Sequence, residues 1–360
     1  MIYSPHKSFS VGRLIGLAVT AVLLTVAQGP AWAAAKDIDF AKINAAIVKD
    51  HLLPRYHIFT ESTGVLEKAT TALCPQVSPD NLKAVRTAFH DAMDAWEEVE
   101  HLRQGPPATG EPHIRIKFWP DRKNLVDKHL ARLMAGKDAN ILTPEPFAHT
   151  SIAVQGFPAM ERLIFAEDAA TGLKGGDGPV KPCAVVQAIA VNLHAIASDL
   201  EGRWTKDPAV GRPAKRVTTD LFNDLATGLG ALAELKLVAF RGTNDKLRPH
   251  RVENWMSGRG LRNVTHNLMA LEDLYDGLAS DPAAGMTDTP EDELIRGQFK
   301  QIIKNARELG PSIVAVLKTE KGPLRLKVLK SDILDLRELV IVNLTEAMGL
   351  VLGFNSLDGD

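Results

Sequence analysis

A chain of 360 residues with 45% apolar and 24% charged side chains has the make-up of an ordinary globular protein. Its formal net charge of −2 lacks the basic excess that a nucleic-acid partner calls for, and none is expected. Once a leader is removed, the remaining length suits two domains of ordinary size.

The leader is read from the N-terminus. Lys7 and Arg13 precede an apolar run from Leu14 to Ala27, and Ala31-Trp32-Ala33 then supplies a small-residue cleavage site. That order predicts a secretory signal peptide over residues 1–33, cleaved near Ala33. The run is shorter than the ~20 apolar residues of a membrane span. A soluble exported protein, periplasmic in a Gram-negative cell, is expected. Cys74 and Cys183 show no metal-type spacing. In an oxidising compartment they read as one disulfide, with two buried free thiols as the alternative.

Helical periodicity then dominates the chain. Leu82, Val85, Phe89, Met93 and Trp96 form an apolar stripe opened by Ser78-Pro79 as cap and first-turn proline. On the other side of this helix, Asp94, Glu97, Glu98 and His101 could hold a hard or borderline metal, or simply form a solvated face. Ile114, Ile116 and Phe118 alternate and predict a short extended piece. Pro158, with φ preset for a first helical turn, predicts a helix start that carries Glu161 and Arg162. Residues 169–179 are Gly-rich and read as a linker.

Beyond it, Val185, Ile189, Leu193, Ile196 and Leu200 mark one helix, and Val217, Leu221, Leu225, Leu229 and Leu232 the next. Val264, Leu268, Leu271 and Leu278 mark another. Thr289-Pro290-Glu291 opens a further one bearing Ile295, Phe299, Ile302 and Leu309. Gly322-Pro323 reads as a break, with a last helix from Ser331-Asp332 to about Gly353. The expected fold is all-α: two up-and-down helical bundles packed side by side, over 34–168 and 180–360.

Gly156-Phe157-Pro158-Ala159-Met160-Glu161 resembles the G-x-H-x-x-E signature of the imelysin-like family, also called the M75-type peptidase family, in a variant with Pro in place of His. The resemblance extends along the chain. Asp50 to Tyr56 and the helix up to Cys74 are similar to the family's N-terminal helix. Phe118-Trp119-Pro120-Asp121-Arg122 matches its F-W-P-D-R turn. Glu253-Asn254-Trp255-Met256-Ser257-Gly258 resembles its E-x-W-R-S-G segment, with Met256 where the family has Arg. Residues 349–360 resemble its G-F-N-x-x-D-G-D ending.

The resemblance implies a groove between the bundles and a role associated with iron uptake. Trp119, Asp121, Arg122, Gly156, Pro158, Glu161, Glu253, Trp255 and Arg259 are the expected groove residues. Glu161 and Asp121 are the expected ligands for iron or another divalent metal. Carboxylates would serve a cation, Arg an anionic chelate, and Trp an apolar flank. The alternative for Glu161 is a first-turn acid favoured by the helix dipole, and for Asp121 a helix cap with Arg122 paired to an acid. Asp358 and Asp360 read as a mobile acid pair, and His51, His57 and His90 as surface or hydrogen-bonded histidines.

Two other functions remain in view. A metal-dependent peptidase needs about three protein ligands, a count that Pro158 makes hard to reach. No H-E-x-x-H, G-x-S-x-G or phosphate-loop signature is present. An envelope interaction module would instead dock iron-uptake proteins in the groove.

Overall fold

The computed structural model describes residues 37–242 and 246–353. The expected signal peptide and the acid pair Asp358 and Asp360 lie outside them. Among the described residues the secondary structure is helical, with one isolated bridge between Arg241 and Leu247.

The first group of helices is built around α2 (Leu53–Leu73), which continues α1 (Phe40–Ile47) through a π turn. It packs against α3 (Pro79–Glu97) and α9 (Pro182–Lys206). The start of α3 follows its local chemistry: the Ser78 side chain accepts from Asn81 N, and Pro79 lacks the N–H that a first turn leaves unpaired. Phe59 of α2 meets Trp96 of α3 at 5.4 Å between ring centroids, and Tyr56 meets Trp204 of α9 at 5.7 Å. The Cys74–Cys183 disulfide fastens the end of α2 to the start of α9. The expected linker segment therefore connects helices that pack in the same group.

Short helices fill the connection from α3 to α9. They are α4 (Pro112–Ile116), α5 (Leu125–Met134), α6 (Pro144–Ala148), α7 (Phe157–Ile164) and α8 (Ala169–Gly172). The extended piece expected at 114–118 is corrected here. Pro112 starts a helical turn that buries Ile116 and leaves Ile114 exposed, so the alternation reflects one buried face of a single turn.

The second group has α10 (Ala214–Glu234) between α11 (Gly260–Ala279) and α14 (Gly322–Met348), with α12 (Pro290–Glu308) against α11 and α14. The one-turn α13 (Ile313–Leu317) packs beside α14, and α1 packs on α10 and α11. Thr289 caps α12 by accepting from Asp292 N at 3.1 Å, and acids fill its first turn, as the helix dipole favours. Gly322-Pro323 begins α14 rather than breaking the chain, because proline fits a first turn. Its C-cap, Gly349, takes a left-handed φ of 61°.

The two groups join along α3 and α11. Asp94 receives Arg259 Nη2 at 2.6 Å, Arg262 Nε at 2.8 Å and His266 at 3.3 Å, while Glu98 pairs with His266 at 2.9 Å.

The disulfide closes a sequence separation of 109 residues. In the chain-entropy model such a loop stabilises the fold by about 4–5 kcal/mol. Cys74→Ser/Cys183→Ser is expected to lose an amount of that order in urea unfolding, and reductant should reproduce the loss in the unsubstituted protein.

Candidate functional site

Gly156 caps α7, and here the absence of a side chain is required. A Cβ would stand 2.1 Å from the Ile116 carbonyl oxygen, inside the neighbouring backbone. Pro158 follows in the first turn, and Glu161 lies one turn on, 2% exposed. Glu161 Oε1 accepts from Ser257 N at 2.9 Å and from Ser257 Oγ, and Arg162 Nη1 stands 3.9 Å from Oε2. Burial pushes the Glu161 carboxyl upward, opposed by the two Ser257 donors. Arg162 also pairs with Asp127 at 3.0 Å and lies over the Trp255 ring.

Two further segments approach α7. In the turn after α4, the Trp119–Pro120 peptide is cis, and Asp121 accepts from Leu125 N at 2.8 Å and Val126 N at 2.9 Å, capping α5. In the loop before α11, Asn254 takes a positive φ of 48°, a conformation asparagine tolerates better than most residues. Asn263 holds this loop by donating to Glu253 Oε2 at 2.7 Å and Asn254 Oδ1 at 2.9 Å. Trp119 Nε1 donates to the Arg251 carbonyl at 3.2 Å and links turn to loop.

Between these segments and the end of α10 lies a cavity of about 270 Å3, at the boundary of the two helix groups. Its wall includes Trp119, Asp121, Arg122, Pro158, Glu161, Glu253 and Trp255. Gly156 and Arg259, also expected there, lie elsewhere. Gly156 abuts the α4 backbone. Arg259 is 1% exposed and clamps α3 to α11, donating to the His90 carbonyl, Asp94 and Asn263. Arg241, Arg251, His250 and Glu234 line the cavity as well and had no distinguishing pattern in the sequence.

Below the cavity floor sits a buried charged cluster. Lys117 Nζ lies 3.0 Å from Glu97, 2.6 Å from Glu100 and 2.5 Å from Glu253. Lys236 Nζ lies 2.6, 2.7 and 3.2 Å from the same three carboxylates and donates to Asn267 Oδ1 at 2.8 Å. Both ammoniums thus contact all three acids. Three carboxylates against two ammoniums leave one negative charge in excess, and Glu97 carries the consequence. Burial and the neighbouring Glu253 raise it to about 7, whereas the ammoniums hold Glu100 and Glu253 low.

The acidic side of α3 is therefore corrected from a solvated face to a buried one. Glu97 and His101 are enclosed, with His101 Nε2 facing His51 Nε2 at 3.2 Å, while Asp94 and Glu98 pair with the second group. His51 is likewise buried, His57 is exposed and pairs with Glu201, and His90 accepts from Arg259.

A metal was the other expectation, and the donors test it. Among the described residues, Glu97, Glu100 and Glu253 are the group whose ligand atoms, all within 4.8 Å of one another, one ion could bridge. Two ammoniums already occupy that space and balance two of its three negative charges, so an ion would have to displace them. Asp121 is committed to capping α5 and Glu161 to Ser257. A resident metal does not fit these residues as they stand.

The arrangement defines a class: an all-helical protein whose two helix groups enclose a small cavity above a buried ion cluster. The family model for imelysin, Peptidase_M75, matches residues 52–340, and the chain belongs to that family. An imelysin-like protein of Psychrobacter arcticum shares the fold, with a TM-score of 0.74, 19% identity, and 89% of this chain and 99% of that one covered. A precursor of the iron-regulated protein A type from Parabacteroides distasonis gives a TM-score of 0.67 at 14% identity, covering 87% and 97%. Iron-regulated protein A of Synechococcus elongatus is 23% identical over 252 residues, 65% of this chain and 63% of its own length. The chain thus spans less than two thirds of that curated relative's length.

Glu97 yields a pH test. Its folded value of about 7 exceeds the ordinary 4.5, so between those values the folded state keeps a proton that the unfolded state releases. This contribution is fully present below pH 4.5 and is lost as pH rises through 7, by on the order of 2–3 kcal/mol. Glu97→Gln cannot titrate. Urea unfolding at pH 5 and pH 8 should show the variant gaining on the unsubstituted protein by about that amount, whereas parallel pH dependences would refute the assignment.

Proposed function

We propose that this protein is an exported member of the imelysin family that holds a small iron-associated ligand in the cavity between its two helical bundles. Iron on this reading is cargo, delivered as an ion or a chelate. The observation that carries it is the convergence of three distant segments, around Trp119, Glu161 and Trp255, on one cavity with aromatic, acidic and guanidinium groups in its wall. Its volume of about 270 Å3 is near the lower end of small-molecule pockets, roughly 300–1,000 Å3. The iron assignment is supported by the name of the Synechococcus relative and by the related Parabacteroides precursor.

Export is supported by the disulfide, which suits an oxidising compartment, and by the order of charge, apolar run and small-residue site over residues 1–33. A periplasmic location and envelope iron-uptake partners follow as part of the same proposal. Peptidase chemistry is the less favoured reading. It would require chelator-sensitive cleavage abolished by Glu161→Gln, yet no three-ligand group among the described residues includes Glu161.

Calorimetric titration of the folded protein with ferrous ion, zinc and ferric citrate tests the proposal. Saturable binding of an iron form, weakened by Trp119→Ala, is the expected result. Silence from both iron forms would overturn it.

A further inference from the structure

We infer that the cavity recognises its ligand through negatively charged groups, as a small polycarboxylate or a chelate built from one, and does not bind a bare cation. This rests on the reading of the cavity as the binding site and specifies the chemistry it selects.

The inference comes from following each charged group in the wall to its partner. Lys117 and Glu253 neutralise each other within the buried cluster. Both oxygens of Asp121 are taken by backbone N–H groups of α5, and Glu161 accepts twice from Ser257. Arg162 is paired with Asp127. The carboxylates that a cation would need are thus occupied by the protein, apart from the exposed Glu234.

The guanidiniums differ. Among the described residues, the side chains of Arg122, Arg241 and Arg251 have neither an acid nor a hydrogen-bond partner, although all three line the cavity. Arg122 comes from the turn before α5, Arg241 from the segment after α10 and Arg251 from the loop before α11. Three rigid donor forks, against one unpaired carboxylate, leave a positive excess at the mouth. Guanidinium suits carboxylate through paired N–H donors, and a partly enclosed site strengthens such bonds relative to open water. Trp119 and Trp255 add aromatic surface for the carbon skeleton.

Metal-free citrate, ferric citrate and ferrous ion are the probes, titrated into the full chain by calorimetry at low and high salt. Citrate and ferric citrate should bind, more weakly at high salt, and ferrous ion alone should not. Arg122→Gln/Arg241→Gln alters exposed side chains and should weaken citrate binding by roughly tenfold or more. Glu234→Gln should strengthen it, a gain that loss of structure would not produce.

Ferrous binding without citrate binding would overturn this inference and leave the iron-ligand reading standing. Citrate binding without any response to ferric citrate or ferrous ion would do the reverse. Citrate affinity unmoved by the double arginine substitution would overturn the assignment of recognition to these guanidiniums.

Discussion

The contact of two ammoniums with three buried carboxylates is the constraint on which the site depends. Isolated, any of these five charges would be costly inside a protein, and removing one partner leaves the others uncompensated. Together they bring five stretches of chain to one point: the end of α3, the residue after α4, the residues after α10, the loop before α11, and α11 itself through Asn267. Lys117 precedes Trp119 by two residues, and Glu253 precedes Trp255 by two. Fixing the buried pair therefore positions both aromatic walls of the cavity. The directed contacts of the cluster set a register between turn and loop that apolar side chains, lacking directional bonds, would not supply.

The helices were largely legible in the sequence for a local reason. An apolar stripe states which face is buried, and Ser78-Pro79 and Thr289-Pro290 state where a helix begins. The stripes on α3, α9, α10 and α11 all lie in the core. What failed was the reading of a single turn and of a proline. Three alternating residues at 114–118 cannot distinguish a strand from a one-turn helix, and Gly322-Pro323 serves as well for a start as for a break.

The acidic side of α3 was illegible for a deeper reason. Glu97 shows nothing in its own neighbourhood of Lys236, which lies 139 residues away, and a carboxylate at helical spacing looks the same whether water or an ammonium faces it. Much of the cavity wall was readable, because Trp119, Pro158, Glu161 and Trp255 sit in motifs that resemble those of a family. Arg241 and Arg251 sit in no such motif. Arg259 illustrates the opposite failure. A charged residue beside a motif looked functional, yet its guanidinium is spent on joining α3 to α11.

Pro158 gains a physical meaning from this arrangement. A histidine there would stand one turn before Glu161 and could share an ion with it. With proline, α7 begins cleanly against the α4 backbone, and the Glu161 carboxylate turns to the Ser257 N–H and hydroxyl instead of to a metal. The acid then fixes the loop that carries Trp255, a positioning role that Asn263 reinforces from the other side. With Asp121, Glu161 and Glu253 serving the architecture, the groups left to meet a ligand are mainly guanidinium and aromatic, with Glu234 the exposed acid among them. On the proposed reading, a chain that keeps the imelysin fold while committing Asp121, Glu161 and Glu253 internally is arranged to hold a ligand.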